Sequence, residues 1–165
     1  MQVQIKKWEI ETDTFIDILV DKSEGNFMYL RHVLPAIESG RFVSASVNDL
    51  PAGLINYYRS HWNQMKEQDQ NTFKQVYQPV VCVLAAAKEA ISISHVSRFT
   101  NIEELTVRNV IRQWFEFLYE YISNETKLYR IYHSSFQEFL QEEVDPGLKT
   151  YHAMIAQYYL NLAGI

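Results

Sequence analysis

Residues 101–133, NIEELTVRNVIRQWFEFLYEYISNETKLYRIYH, decide the fold. The first half of this stretch spaces its apolar residues three and four apart, which predicts an amphipathic helix. Its inward residues are Val107, Val110, Ile111, Trp114 and Leu118. Just before them, Thr100-x-x-Glu103 has the form of a capping box, so the helix is expected to open there. Two β-prone runs, 119–123 and 128–133, flank the polar residues 124–127, and this pattern predicts a β-hairpin.

Three helices precede that hairpin in the second half of the chain. A helix is predicted over about 72–88, bent at Pro79, and residues 80–87 are apolar on almost every side. A short extended link, 91–93, and a short helix, 94–99, lead to the helix described above. The order helix, helix, helix, hairpin over 72–133 is the winged-helix arrangement, in which the hairpin is the wing.

The first third of the chain is predicted to be entirely helical. One helix starts near residues 12–14 and stops at Gly25, and a second stops at Gly40. Pro35 is expected to kink the second helix or divide it in two. A loop over 41–48 then leads to a third helix, which starts near Pro51.

Two further helices follow the hairpin, the first opened by Ser135-x-x-Glu138, another capping-box pattern. The polar run 66–71 is the clearest break in the chain. The expected architecture is therefore mainly α: a helical subdomain over 1–68, a winged-helix domain over 69–145, and the start of a further helical region over 146–165.

Composition and charge exclude several classes of protein. Apolar residues make up 47% of the 165 residues, with only 5 Gly and 4 Pro, which favours a packed helical protein. The net charge of −5 is the wrong sign for an electrostatic nucleic-acid binder. One cysteine excludes a disulfide framework. The longest apolar run, 80–87, is too short to cross a bilayer, and no signal-peptide core is visible, so a cytoplasmic protein is expected.

Few residues have the spacing that catalysis or metal binding requires. No glycine belongs to a phosphate-binding loop, so this segment is not expected to be an ATPase by itself. The five histidines lack metal-ligand spacing, and Cys82, in an apolar run, is expected to pack in the core. The predicted third helix carries Glu103 and Glu104 against Arg108 and Arg112, which disfavours base readout.

His133 is the strongest candidate for a functional residue. It follows the second strand of the hairpin and precedes a helix start, where unpaired N–H groups favour a phosphate. The alternative is a structural histidine bonded to a backbone carbonyl. Spacing alone favours the structural alternative.

Residues 129–140, YRIYHSSFQEFL, closely resemble the end of the winged-helix domain in NACHT-type NTPases of the STAND class of signal-transduction ATPases. In that family the histidine at the position of His133 contacts the β-phosphate of bound ADP and holds the closed state. Residues 23–30, SEGNFMYL, resemble a lid segment that packs against the adenine. Weak adenine contacts are thereby implied for Gly25, Asn26 and Phe27, and Phe27 stands where the family often has proline.

The resemblance implies that the chain is a fragment that senses the nucleotide state by closing over ADP and moving on exchange to ATP. The P-loop core of the same parent chain would be its partner and would supply ADP or ATP with Mg²⁺. The parent would be an ATPase that could form a homo-oligomer on activation, with no membrane partner. Two alternatives stay open: a winged-helix DNA-binding regulator, and a helical protein-interaction module without a nucleotide role.

Overall fold

A computed structural model describes residues 8–42 and 46–164, so residues 43–45 of the predicted loop lie outside the described part. The chain divides into two compact units, Met1–Gln64 and Met65–Ile165. The predicted mainly helical fold is confirmed, together with one small three-stranded antiparallel sheet. Among the described residues, none of the helices combines the length and the apolar character needed to cross a membrane.

The first unit is built from helices. Their bounds are α1 (Thr12–Ser23), α2 (Phe27–Glu38) and α3 (Gly53–Gln68), with a 3₁₀ turn at Val47–Asp49. The division between the units falls in the last part of α3. Tyr29 and Tyr58 are fully buried in this unit, where they form part of its core.

Proline 35 does not divide the second helix. The helix α2 continues through Pro35 to Glu38, so the predicted alternative of two short helices is wrong. Proline removes one backbone N–H and one helical hydrogen bond. Because Pro35 lies in the last turn, only a short stretch of helix depends on the lost bond.

The helix predicted over 72–88 runs without a break over 70–86, and it contains a π-helical segment that the sequence did not predict. Its parts are α4 (Gln70–Thr72), the π-helical segment (Phe73–Tyr77) and α5 (Gln78–Ala86). Proline 79 explains the π-helical segment, because its ring would clash with the carbonyl four residues earlier in a regular α-helix. A π-helical turn widens the backbone at that point, so the clash is avoided.

A three-stranded sheet, in the order β1-β3-β2, packs with the next helices. Its elements are β1 (Ile91–Ser92), α6 (Ile93–Thr100), α7 (Glu104–Gln113), β2 (Leu118–Ser123) and β3 (Thr126–Ile131). The predicted extended link is thus a third strand, with Ile91 opposite Tyr129 on β3. Asn124 and Glu125 both have positive φ, +47° and +63°, so the hairpin turn has two residues instead of four.

The capping box predicted at Thr100 and Glu103 is wrong. Thr100 belongs to the end of α6, and its Oγ1 donates to the carbonyl of Val96 at 2.8 Å. Glu103 precedes α7 but makes no capping hydrogen bond with its side chain. The hydroxyl of Thr100 therefore satisfies the end of the preceding helix and does not open the next one. Leu118, predicted on that helix, begins β2.

The chain after the sheet forms α8 (Ser134–Glu143), a 3₁₀ turn (Pro146–Leu148) and α9 (Lys149–Leu162). Phe136 of α8 is buried against Phe117, with ring centroids 4.6 Å apart, and against Trp114 at 6.0 Å. This aromatic cluster joins the first turn of α8 to the segment between α7 and β2. It therefore fixes where the helix begins.

Candidate functional site

His133 is the N-cap residue of α8. Its backbone is still extended, with φ −132° and ψ 138°, and the helix begins at the next residue. The imidazole Nδ1 accepts a hydrogen bond from the backbone N–H of Ser135 at 3.2 Å, and the Ser135 hydroxyl lies 2.7 Å from the same nitrogen. The side chain therefore satisfies one of the N–H groups that a helix start leaves unpaired.

This contact assigns the tautomer of the ring. A nitrogen that accepts from a backbone N–H has no proton of its own, so in neutral His133 the proton is on Nε2. The Ser135 hydroxyl must then donate to Nδ1 as well. His133 is half-buried, and both hydrogen bonds of its ring within the described residues involve Nδ1. The capping role and the donor role thus fall on different nitrogens of one ring.

The local geometry differs from both expectations about this helix start. Ser135 is the second residue of α8, not its N-cap, so the capping box with Glu138 is wrong. The structural alternative for His133 placed its bond on a backbone carbonyl, whereas the ring accepts from a backbone N–H. The cause is the early end of β3, at Ile131, which leaves His133 as the last extended residue.

Contacts on both sides hold the cap in place. The backbone N–H of Tyr132 donates to the carbonyl of Phe117 at 2.8 Å, so the residue before His133 is bonded to the residue that precedes β2. The side-chain Nε2 of Gln137 donates to the carbonyl of Ala85 at 2.8 Å, which ties α8 to the end of α5. The residues on both sides of His133 are therefore hydrogen-bonded to other elements of the same unit.

This helix start can bind an anion. The first turn of α8 carries no acidic residue, and a helix N-terminus has a partial positive charge. The backbone N–H of Ser134 and the Nε2–H of His133 are both donors, and a phosphate oxygen accepts such bonds. Two donors and one helix end offer far fewer phosphate contacts than a P-loop does. A nucleotide bound here would therefore need a second set of contacts.

The segment Gly25–Phe27 lies in the first unit, between α1 and α2. Gly25 has φ +73° and its N–H donates to the Ser23 hydroxyl at 3.3 Å. The Asn26 side chain caps α2 by accepting from the N–H of Met28 at 3.0 Å. Phe27 is 75% exposed. Of the three predicted contact residues, Asn26 is thus engaged in capping, while Phe27 presents an aromatic ring to solvent.

His133 and the Gly25–Phe27 segment belong to different compact units. Neither contains the acidic residues that would coordinate Mg²⁺. Within the parts of the chain that the structure describes, no group of three or more His, Cys, Asp or Glu residues could hold a metal ion.

A buried polar cluster in the first unit was not predicted from the sequence. Arg41 donates from Nη1 to the Tyr57 hydroxyl at 3.1 Å and lies 3.2 Å from Nδ1 of His61. Burial, followed by the charge of Arg41 and by His32, lowers the pKa of His61 to about 3. The imidazole is therefore neutral at pH 7 and accepts from the guanidinium. Local spacing does not reveal this cluster, because the arginine partner of His61 lies 20 residues away in the sequence.

Cys82 occupies the core of the second unit, as predicted. Burial raises the pKa of its thiol to about 12, so the reactive thiolate does not form at neutral pH. Tyr151 of α9 lies near it, and Gln78 donates from Nε2 to the Tyr151 hydroxyl at 2.9 Å. This cluster connects α9 to α5, and we assign it a packing role.

In comparisons with known proteins, the chain matches no family model, no curated protein and no solved structure.

Proposed function

We propose that this chain is the nucleotide-sensing regulatory segment of a signalling ATPase of the STAND class and NACHT type. In this proposal the chain closes over ADP bound to an N-terminal P-loop core of the same parent protein. Exchange of ADP for ATP changes the contacts and releases the segment. The observation that carries the proposal is the geometry of His133, which caps α8 through Nδ1 and retains Nε2–H as a donor.

The order of elements supports a winged-helix assignment for the second unit. Helices α5, α6 and α7 are followed by the hairpin β2–β3, and β1 lies between α5 and α6 and pairs with β3. A winged helix has the same sequence of three helices, a short strand and a wing. We assign β2 and β3 as the wing on this basis. His133 then lies where the wing returns to the helical part of the domain.

Phosphate recognition at His133 follows from two features of the site. The helix start of α8 favours negative charge, and Nε2–H of the same residue that caps it is a directed donor. A hydrogen bond to a charged group contributes about 1.5–3 kcal/mol. That range corresponds to roughly 10- to 100-fold in an equilibrium constant, enough to separate a closed resting state from an open one.

Adenine recognition is assigned to Phe27, in place of the proline that the family often has. The ring of Phe27 is 75% exposed and lies two residues after Gly25, which has a positive φ. An exposed aromatic ring can stack on a base, and such stacking contributes about 1–3 kcal/mol. Asn26 caps α2 by accepting from the N–H of Met28, so in this proposal the stacking is left to Phe27.

The test is made on the full-length product of the gene. We expect the sequence upstream of this segment to contain a Walker A motif, and the purified full-length protein to retain about one ADP per chain. ADP is identified by chromatography after acid extraction. A full-length protein that has no P-loop and releases no nucleotide on extraction would overturn the proposal.

A further inference from the structure

Strand β2 lies at one edge of the sheet. The strand order is β1-β3-β2, so among the described residues β3 is the only strand beside it. The other side of β3 is covered by β1, where Ile91 lies opposite Tyr129. An edge strand keeps backbone N–H and C=O groups to which a further strand can bond.

The register of the hairpin determines which residues of β2 direct these groups outward. The N–H of Tyr132 donates to the carbonyl of Phe117, a pair that continues the register between β2 and β3. Hydrogen-bonded pairs alternate with non-hydrogen-bonded pairs in an antiparallel ladder. The odd-numbered residues of β2 therefore bond to β3. The even-numbered residues, Leu118, Glu120 and Ile122, direct their backbone groups away from it.

Glu120 and Ile122 form the open part of this edge. The N–H of Leu118 donates to the carbonyl of Phe115 and is therefore used. In the part of the chain that the structure describes, no backbone hydrogen bond joins Glu120 or Ile122 to another element. An antiparallel strand beside β2 could therefore exchange two hydrogen bonds with each of these two residues.

The two faces of this edge differ in chemistry. Tyr119 and Tyr121 share one face, where their ring centroids are 6.0 Å apart and both rings are exposed. The guanidinium carbon of Arg130 lies 5.5 Å from the centroid of the Tyr119 ring. Glu120 points to the opposite face and bonds to Lys127 at 2.9 Å. An added strand would thus meet aromatic rings on one face and a carboxylate on the other.

The charge of this segment indicates what kind of strand fits. Residues 113–126 contain Glu116, Glu120 and Glu125 and no Lys or Arg. In a second copy of this chain, the register that pairs all three outward residues would set Glu120 opposite Glu120. Like charges directly opposite each other destabilise a sheet. Charge complementarity therefore favours a basic strand from a different protein over a second copy.

We propose that the open edge of β2 binds an extended segment of a partner protein in which Lys or Arg alternates with apolar residues. The basic residues exchange backbone hydrogen bonds with Glu120 and Ile122 and lie on the face of the Glu120 carboxylate. The apolar residues pack on the face of Tyr119 and Tyr121. This inference does not rest on the nucleotide-sensing proposal, because it uses neither His133 nor Phe27.

A model peptide tests the chemistry of the partner. The probe is a fluorescein-labelled peptide of eight residues in which lysine and valine alternate, and fluorescence anisotropy measures its binding to this chain. Such a short edge should give a dissociation constant on the order of 10–500 µM. A peptide of alternating glutamate and valine should bind at least about tenfold more weakly. Absence of binding at about 1 mM of the chain, or equal binding of the two peptides, would overturn the proposal.

Methylation of the peptide backbone separates strand pairing from general attraction between opposite charges. N-methyl groups on the lysines block the N–H groups directed at β2, and affinity should fall at least about tenfold. N-methyl groups on the valines block N–H groups directed away from β2, and affinity should change less than about threefold. Equal affinities of the two methylated peptides would overturn the proposal.

Variants of the chain locate the site on β2. Ile122→Pro removes an outward N–H and no bond to β3, so it should weaken binding of the lysine peptide at least about fivefold. Ile122→Thr keeps that N–H and should bind as the native chain does. Glu120→Lys should reverse the preference and favour the glutamate peptide, which misfolding would not do. Equal effects of the two Ile122 variants, or an unchanged preference in Glu120→Lys, would overturn the proposal.

Sedimentation velocity of the chain without peptide tests a second copy as the occupant. The chain is expected to form no dimer through β2. The native chain and Ile122→Pro should therefore sediment alike up to about 200 µM. A dimer of the native chain that Ile122→Pro dissociates would assign the edge to a second copy and overturn the proposal.

Discussion

Nδ1 of His133 lies 3.2 Å from the backbone nitrogen of Ser135, so the histidine caps the helix that it precedes. The imidazole has a second nitrogen, and the capping bond assigns the proton to it. A structural role and a phosphate-binding role are therefore compatible in one residue. They are also separable, because a substitution can keep the acceptor and remove the Nε2–H donor.

The capping role predicts the effect of two substitutions on stability. His133→Ala removes the acceptor for the Ser135 N–H and should lower the free energy of unfolding by about 0.5–2 kcal/mol. His133→Asn places an amide oxygen at a preferred N-cap position and should cost less than the alanine variant. Urea unfolding followed by circular dichroism measures both. Equal losses in the two variants would contradict the cap.

The hairpin turn predicts a stabilising substitution. Glu125 has φ +63°, which is unfavourable for a residue with a Cβ and natural for glycine. Glu125→Gly should raise the free energy of unfolding by about 0.5–1 kcal/mol, since Asn-Gly is the favoured pair for this turn. Glu125→Ala keeps the strain and serves as the matched control. A gain of the same size in the alanine variant would mean that the charge, not the backbone, is responsible.

The buried His61 predicts a loss of stability in acid. Its pKa is lowered to about 3 in the folded protein, against about 6.5 in the unfolded chain. Below pH 6.5 the unfolded state binds the additional proton, so the contribution to stability is complete above that pH and falls as the pH drops towards 3. The limiting slope is about 1.4 kcal/mol per pH unit.

His61→Gln removes the titration and keeps a side-chain acceptor for Arg41. Urea unfolding of the native chain and of this variant between pH 4 and 7.5 should give curves that converge towards acid. A constant difference between them across this range would show that His61 does not titrate on unfolding.

Apolar spacing was sufficient to predict the helical class and the hairpin. Val107, Val110 and Ile111 are buried on α7 as expected. Strand β2 covers the first β-prone run, whereas β3 covers the second run only as far as Ile131. Such patterns depend on local periodicity, which a sequence displays directly. The third strand was missed as a strand because two residues, Ile91 and Ser92, carry no periodicity, and their pairing depends on distant β3.

Helix starts were harder to predict, and the reason lies in competing capping groups. Serine and threonine patterns at Thr100 and Ser135 suggested two capping boxes, and both were wrong. Thr100 donates to the helix behind it, and Ser135 is preceded by a histidine that already supplies the acceptor. A capping pattern specifies which groups can bond but not where the previous element ends.

The cluster of Arg41 and His61 was missed for a related reason, since its members are distant in sequence.

The charge of the chain predicts weak interaction with DNA. The net charge is −5, and α7, which is the recognition helix in the proposed winged-helix assignment, exposes Glu104 beside Arg108 and Arg112. Fluorescence anisotropy with random duplexes at physiological salt should give no binding below 1 µM, because phosphate contacts require a basic footprint. Submicromolar binding would favour the DNA-binding alternative over the nucleotide sensor.

The site at His133 predicts only weak nucleotide binding by this segment alone. One imidazole and one helix start contribute a few kcal/mol against the entropy lost on capture of a ligand. Calorimetric titration with ADP·Mg or ATP·Mg should therefore show no micromolar affinity. A micromolar dissociation constant would mean that the segment holds a nucleotide without a P-loop core, contrary to the proposed division of roles.

The rate of ADP release from the full-length protein tests the role of His133 most directly. The native protein is compared with His133→Asn, whose melting temperature should stay close to the native value because the amide oxygen preserves most of the cap. Stopped-flow measurement with a fluorescent ADP analogue should show release about 10- to 100-fold faster in the variant, the kinetic equivalent of losing one hydrogen bond to a charged phosphate. Unchanged release at an unchanged melting temperature would contradict nucleotide sensing by His133 and leave it with the capping role alone.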